Sequence, residues 1–141
     1  MSEQCVFCQI IRKEKEAYLI HEDEQCIAFL DAYPVTEGHT LVIPKGHYQN
    51  IYEIPEDTLA HIMKICKRLA LDYQQIFQTV GLNIIQSNGI VAKQTVFHFH
   101  VHLVPRYYED GLTLFRHAFT KSESNLTRAL DKITAFQKEK K

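Results

Sequence analysis

The sequence predicts an α+β domain in which one long helix and one C-terminal helix pack on an antiparallel five-stranded sheet. Three observations lead to this prediction. Five short apolar segments are bounded by turn residues, one segment carries a continuous apolar helix face over about six turns, and a second amphipathic segment follows near the C-terminus. The 141 residues contain no repeat and no low-complexity linker. We therefore expect a single domain over residues 1–141, with a core at about 5–106 and a helical extension at 107–141.

The predicted elements follow one another in a simple order. Residues 5–14 are expected to form a short helical turn. The strands are predicted at residues 18–20, 26–30, 39–43, 82–86 and 96–104, and Pro105 is expected to end the last of them. The long helix is predicted to begin at Pro55, because proline suits a first helical turn, and to end at Gly81. Apolar residues at helical spacing between 126 and 136 predict the second helix.

Composition excludes several classes of protein. A hydrophobic content of 45% and a charged content of 23% are globular values. The net charge of −1 argues against a general nucleic-acid partner, which would favour a basic excess. No apolar run approaches the length of a membrane span, and the first residues lack the order of a signal peptide. We therefore expect a cytoplasmic protein with reduced cysteines and neither a nucleic-acid nor a membrane partner.

The segment 97–104 alternates strictly between apolar and imidazole side chains. Successive side chains of a strand point to opposite faces. The segment thus predicts a buried face formed by Phe97, Phe99, Val101 and Leu103, and an opposite face formed by His98, His100 and His102. We expect the histidine face to line a cleft or a sheet edge.

Three interpretations of the histidine face remain open from the residues alone. It could be a polar sheet surface, although so regular a pattern in so apolar a strand disfavours this. It could be a metal site, because two histidines on one strand can bind zinc. It could also support phosphoryl or nucleotidyl transfer, in which one neutral ring attacks phosphorus and a second ring steadies charge or protonates the leaving group.

Cys5 and Cys8 form a CxxC pair, which is half of a typical zinc site. A redox dithiol and two uninvolved thiols are the alternatives. A thioredoxin-like motif would need a preceding strand, and only four residues come before Cys5. Cys26 and Cys66 lie in apolar segments and are expected to be buried.

The pattern His-φ-His-φ-His-φ-φ, where φ is apolar, fits His98 to Val104 at every position and resembles the signature of the histidine triad (HIT) nucleotide-binding family. Residues 29–31, 38–45 and 94–97 resemble other family segments, so the resemblance covers roughly residues 5–106. The CxxC pair and the C-terminal helix are most similar to bacterial members. The chain departs from the family at Lys93, where glycine is usual, and at Thr95, where serine is common. The resemblance implies a HIT-like fold and a homodimer.

The resemblance also implies a nucleotide-binding hydrolase or transferase. Such proteins cleave nucleoside 5′-phosphoramidates or related nucleotidyl substrates at the α-phosphate, through a nucleotidyl-histidine intermediate, and release AMP or GMP. The expected partner is a purine nucleotide or nucleoside phosphoramidate. A dinucleoside polyphosphate hydrolase, which Lys93 could favour, and a weakly catalytic nucleotide-binding regulatory protein are the alternatives.

The resemblance assigns roles to individual residues. It implies three catalytic histidines: His100 as the nucleophile, His102 as a contact to phosphate oxygens, and His39 as a support for the nucleophile. It implies a substrate-binding set, with Asp31 on the ribose hydroxyls, Ile27 and Phe29 beside the base, and Asn88, Gln94 and Thr95 around the phosphate and leaving group. It implies a structural zinc ion held by Cys5, Cys8, His47 and His98.

Simpler structural roles compete with five of these assignments. Asp31 and Asn88 could be turn residues, Gln94 and Thr95 ordinary loop residues, and His39 a hydrogen-bonded core histidine. His21, His61 and His117 lie outside the motif and are expected to be surface or structural residues.

Overall fold

The structure, a computed structural model, describes residues 3–114 and 123–140. The described residues contain three α-helices, namely α1 (Val6–Ile11), α2 (Glu56–Ile76) and α3 (Glu123–Glu139), and a single turn of 3-10 helix at Ile90–Ala92. The five strands are β1 (Leu19–Glu22), β2 (Cys26–Leu30), β3 (Thr40–Pro44), β4 (Gly81–Ile85) and β5 (Val101–Arg106). All neighbouring strands pair antiparallel in one sheet, in the order β1-β2-β3-β5-β4. The predicted α+β class with a five-stranded antiparallel sheet is therefore confirmed.

Strands β2 and β3 form the centre of the domain and pair from Cys26–Pro44 to Leu30–Thr40. Apart from Thr40, both strands are apolar because both faces of the sheet are covered here. One face packs against α2 and the other against α1. The α2 side includes Cys26, Ala28 and Val42, and the α1 side includes Ile27, Phe29, Leu41 and Ile43.

Helix α2 follows the predicted apolar periodicity over most of its length. Its buried residues are Ile62, Ile65, Cys66, Leu69 and Tyr73. The helix ends at Ile76, earlier than the predicted Gly81, because Gln78 takes a left-handed conformation with a φ of 54°. Val80, which was expected on the helix, instead donates its N–H to the Arg106 carbonyl beside the sheet.

The predicted fifth strand is wrong at both ends. Strand β5 begins at Val101, because residue 99 donates its N–H to the Tyr48 carbonyl instead of to a neighbouring strand. The strand continues through Pro105 to Arg106. Pairing with β3 has already stopped at Leu103, so Pro105 has only β4 as a neighbour and its missing N–H interrupts no hydrogen bond to β3. Of the predicted buried face, Phe99, Val101 and Leu103 are buried, whereas Phe97 is 38% exposed.

Helix α3 forms where the sequence predicts it. Its apolar side chains nevertheless remain 54–62% exposed in the single chain, rather than buried against the sheet; they are Leu126, Leu130, Ile133 and Phe136. Within the predicted helical extension, residues 115–122 lie outside the described residues, and so does the expected position of His117. No helix in the described ranges is both long and apolar enough to cross a membrane.

Replacing the two phenylalanines separately tests the position at which β5 begins. Phe99→Ala removes a ring that is only 1% exposed and lies in the cluster between α2 and the sheet. We expect it to lower the free energy of unfolding by about 3–5 kcal/mol. Phe97→Ala is the matched control and should cost less than about half as much. Urea denaturation of the three proteins measures both values. Equal losses would contradict the observed placement of Phe97.

Candidate active site and metal site

Four predicted metal ligands converge where α1 begins. Cys5 caps α1 and Cys8 lies in its first turn, so the CxxC spacing places both sulfur atoms on one side. His47 follows β3 and His98 precedes β5. The Cys8 sulfur lies 3.3 Å from His47 Nδ1 and 3.6 Å from His98 Nδ1, and the Cys5 sulfur lies 3.5 Å from His98 Nδ1. The two Nδ1 atoms are 3.2 Å apart.

These separations fit a tetrahedral metal ion. Zinc bonds of about 2.3 Å to sulfur and about 2.0–2.1 Å to nitrogen give ligand–ligand edges of about 3.3–3.8 Å. The His98 ring also donates its Nε2–H to the Pro44 carbonyl at 2.9 Å, which leaves Nδ1 with the lone pair. Burial is the main reason that the pKa of His98 falls to about 4, so the ring is neutral and able to bind a metal. The four residues could therefore hold a metal ion.

A cavity of about 1050 Å³ opens between α1 and the sheet, beside this cluster. Its walls combine apolar side chains, including Phe7, Ile10 and Phe29, with a smaller set of polar groups. The polar groups include His39, His100, His102, Asp31 and Thr95. Such a concave, mostly apolar site with a few polar groups is typical of small-molecule binding.

His100 is held in one orientation at the cavity wall. Its Nδ1–H donates to the His98 carbonyl at 2.8 Å, and its ring makes edge contacts with Phe7 and His102. A carbonyl can only accept, so the proton lies on Nδ1 and the Nε2 atom carries the lone pair. Burial lowers the pKa of His100, although the His98 hydrogen bond and Asp31 oppose this. The ring is therefore neutral and has the exposed lone pair that a nucleophile needs.

His102 has the opposite tautomer because of its contact with His39. The Val35 N–H donates to His39 Nδ1 at 3.2 Å, so the single proton of a neutral His39 ring lies on Nε2. That Nε2–H donates to His102 Nδ1 at 2.9 Å. Asp31 Oδ2 lies 3.5 Å from the same His39 nitrogen. His102 must then carry its own proton on Nε2. The cavity thus contains an imidazole lone pair and an imidazole N–H side by side.

The other predicted substrate-binding residues are divided between the cavity and the interior. Phe29, Asp31 and Thr95 line the cavity. Ile27 is fully buried in the cluster packed on α1 and does not reach the cavity wall.

Asn88 and Gln94 form hydrogen bonds that stabilise the loop preceding His98. Gln94 accepts from the Gly89 N–H and donates to the carbonyls of Gln49 and Val96, while Asn88 accepts from the Ile51 N–H. Neither residue lines the cavity.

Lys93 adopts the left-handed conformation, with a φ of 72°. That conformation explains why glycine suits this position, since a side chain there costs about 1–2 kcal/mol.

Several cavity residues were not expected from the sequence. Tyr18 and Tyr33 stand at its rim, and Lys13 and Lys15 lie on its α1 side. No sequence pattern marks these four residues. The Phe7 and Ile10 spacing of three could have indicated that α1 presents an apolar face to the cavity.

The family model described as the HIT domain matches residues 12–109, and the chain belongs to the HIT family. The Bacillus subtilis protein named Protein hit is 42% identical over 106 residues, which is 75% of this chain and 73% of that protein. A Candida albicans adenosine 5′-monophosphoramidase is 38% identical over 106 residues, 72% of this chain and 70% of its own length. An Arabidopsis thaliana adenylylsulfatase is 36% identical over 115 residues, 79% of this chain and 57% of its own length.

Solved structures show the same fold. A HIT family protein from Bacillus anthracis superposes with a TM-score of 0.85 at 38% identity, covering 100% of this chain and 99% of that one. A zinc-bound histidine triad protein from Mycobacterium smegmatis superposes with a TM-score of 0.75 at 37% identity, covering 94% of this chain and 96% of that one.

The His102 ring should stay neutral with its proton on Nε2 at pH 7. Burial, followed by the neighbouring His100 and His39, lowers its pKa to about 4. In the unfolded chain His102 takes up a second ring proton near pH 6.5, whereas in the folded chain it does so only near pH 4. The contribution of His102 to the free energy of unfolding therefore falls as the pH drops from about 6.5 towards 4. Nitrogen-15 NMR of the histidine rings reports tautomer and pKa together, with the urea-unfolded chain as the control. Titration of folded His102 near pH 6.5, or a proton on Nδ1 at pH 7, would contradict this assignment.

Proposed function

We propose that this protein is a nucleotidyl hydrolase that cleaves nucleoside 5′-phosphoramidates at the α-phosphate and releases AMP or GMP. The observation that carries the proposal is the pairing of opposite tautomers, with the His100 Nε2 lone pair beside the His102 Nε2–H. The phosphoramidase and adenylylsulfatase names of two relatives support a hydrolase that acts on an adenylyl group. Asp31 at the cavity wall supplies two carboxylate oxygens for the ribose hydroxyls.

The reaction has two steps at phosphorus. First, His100 Nε2 attacks the α-phosphorus, the phosphorus–nitrogen bond of the substrate breaks, and the departing amine nitrogen takes up one proton from solvent. The His102 Nε2–H donates a hydrogen bond to a phosphate oxygen and stabilises the charge that builds there. Second, water attacks the nucleotidyl-histidine, the bond from phosphorus to His100 breaks, and one proton returns to solvent. The net reaction consumes one water molecule and regenerates the neutral ring.

We assign Cys5, Cys8, His47 and His98 to a structural zinc site. When bound, zinc supplies a cross-link rather than Lewis-acid chemistry, because four protein ligands leave no open position. The cross-link would join α1, the segment after β3 and the segment before β5. His98 would belong to both sites, since its ring is a metal ligand and its carbonyl holds the nucleophile.

We further propose that the protein is a cytoplasmic homodimer. β4 is an edge strand of the sheet, and apolar side chains on it and on α2 are half-exposed, including Ile84, Leu71 and Ile76. Pairing two copies about a two-fold axis would cover these residues. Cys5 and Cys8 would have to stay reduced to bind zinc, as they would in a reducing compartment.

Turnover of an adenosine 5′-phosphoramidate such as AMP-lysine tests the proposed function. We expect His100→Ala to lower kcat by roughly 10³-fold or more, because it removes the only proposed nucleophile. His21→Ala, a half-exposed histidine outside the cavity, is the matched control and should retain wild-type turnover. AMP release is measured in each case, without added metal.

The same assay separates the alternative functions. Faster cleavage of a dinucleoside tetraphosphate than of AMP-lysine would favour the polyphosphate hydrolase. AMP binding without turnover on either substrate would favour a regulatory binding protein. Full activity of His100→Ala would contradict nucleotidyl transfer on His100.

Metal analysis tests the proposed zinc site. The purified protein should retain zinc at about one ion per chain, and Cys8→Ser should lose it together with thermal stability, because it removes a thiolate from a four-ligand set. Cys66→Ala is the control and should keep the metal, because Cys66 is buried between α2 and the sheet, on the face away from α1. Elemental analysis and melting curves measure both effects. Retention of the full zinc content by Cys8→Ser would contradict the assigned ligand set.

A further inference from the structure

The loop between β2 and β3, residues 31–38, forms part of the cavity wall and holds two polar groups of the site. Its Val35 N–H donates to His39 Nδ1 at 3.2 Å. Its Tyr33 N–H donates to Asp31 Oδ1 at 2.8 Å. The loop contains neither helix nor strand, so its position depends on the contacts that join it to the rest of the domain.

One side chain of this loop is hydrogen-bonded to the strand that carries His102. The Thr36 hydroxyl donates to the Pro105 carbonyl at 2.7 Å, although the two residues are 69 positions apart in sequence. Pro105 follows His102 in β5 and lies beyond the last β3–β5 pair, which is at Leu103. The Thr36 carbonyl also accepts the backbone N–H of His39 at 3.2 Å. Thr36 therefore connects the backbone of His39 to the strand of His102.

We propose that Thr36 is a positioning residue for the reaction at the triad. Its hydroxyl holds the loop where the Val35 N–H fixes the tautomer of His39, and His39 in turn fixes the tautomer of His102. The inference rests on the proposed function, because it concerns the imidazole N–H that would donate to the phosphate. Val35 directly precedes Thr36, and its hydrogen bond to His39 is already long, so a small shift of the loop would weaken it steeply.

The packing of Gly38 holds the same loop against the same part of β5. Gly38 has a φ of 88°, and a Cβ atom at this position would lie 2.9 Å from the Phe77 ring and 3.1 Å from the Pro105 ring. A side chain here would push the loop away from β5, so the close approach needs glycine. The loop thus meets Pro105 through two separate contacts, one polar from Thr36 and one apolar at Gly38.

Loss of the Thr36 hydroxyl would allow the two imidazole rings to exchange tautomers. Without an aligned Val35 N–H, His39 can carry its proton on Nδ1 and its lone pair on Nε2. His39 Nε2 would then accept a hydrogen bond from His102 Nδ1–H, which leaves the lone pair of His102 on Nε2. That lone pair would face a phosphate oxygen that needs a donor. Asp31 Oδ2 still favours a proton on His39 Nε2, so we expect the exchange to be partial.

Nitrogen-15 NMR of the histidine rings, combined with AMP-lysine turnover, tests the proposal. We expect Thr36→Val, which removes the hydroxyl and nearly keeps the shape, to populate the exchanged tautomers of His39 and His102 in about a tenth of the molecules or more. Its kcat should fall by about three- to tenfold, as for the loss of one ordinary hydrogen bond. The Kd of AMP should change by less than about twofold, because Asp31 keeps its own bond from the Tyr33 N–H.

Two further variants serve as controls. Thr36→Ser keeps a hydroxyl and should restore the tautomers and kcat to wild-type values. Thr79→Val replaces a half-buried threonine outside the loop and the cavity wall, and it should behave as the wild type does. Melting curves establish that each variant is folded, and Thr36→Ala replaces Thr36→Val in the comparison if the valine variant does not fold.

Three results would overturn the proposal. The folded variant without the hydroxyl could keep the wild-type tautomers of His39 and His102. Thr36→Ser could be as impaired as Thr36→Val, or Thr79→Val could be equally impaired. A wild-type protein that does not cleave AMP-lysine would instead contradict the proposed function. The tautomers are measured without substrate, so they would still decide the role of Thr36 in that case.

Discussion

The hydrogen bond from His100 Nδ1 to the His98 carbonyl is the constraint on which the proposed chemistry depends. It fixes the proton of His100 on the inner nitrogen and leaves the lone pair on the outer one. The carbonyl is itself held in place, because the His98 ring is fully buried among Cys8, His47 and the Pro44 carbonyl. The proposed metal ligand His98 therefore also positions the proposed nucleophile His100 through its own carbonyl group.

Burial of so many imidazoles is costly unless each ring has partners, and the fold supplies them. Among the described residues, every buried side-chain nitrogen and oxygen has a hydrogen-bond partner. The same burial keeps the rings neutral, as the lowered pKa values of His98, His100 and His102 indicate. Neutral rings can bind metal or attack phosphorus, whereas protonated rings cannot. The low-polarity core thus serves both stability and the proposed reaction.

The sequence predicts the features that depend on local periodicity. The apolar stripe of α2 and the continuous apolar runs of β2 and β3 reflect burial on one and two faces, so their positions follow from residue spacing. Features that depend on distant contacts are not predicted. The N–H of Phe99 pairs with Tyr48, which removes residues 97–100 from the strand and exposes Phe97. The side chain of Gln94 is directed to backbone groups, and no local pattern reveals such partners.

Trapping the reaction intermediate tests the proposed role of His100 most directly. The protein would be mixed with an adenosine 5′-phosphoramidate, quenched in alkali within the first turnover, digested and mapped by mass spectrometry. We expect an adenylyl group on the peptide that contains His100, absent from His100→Ala, and lost at the rate at which AMP appears. An adduct on another residue, or AMP release by wild type with no adduct formed at any time in the first turnover, would contradict the two-step mechanism.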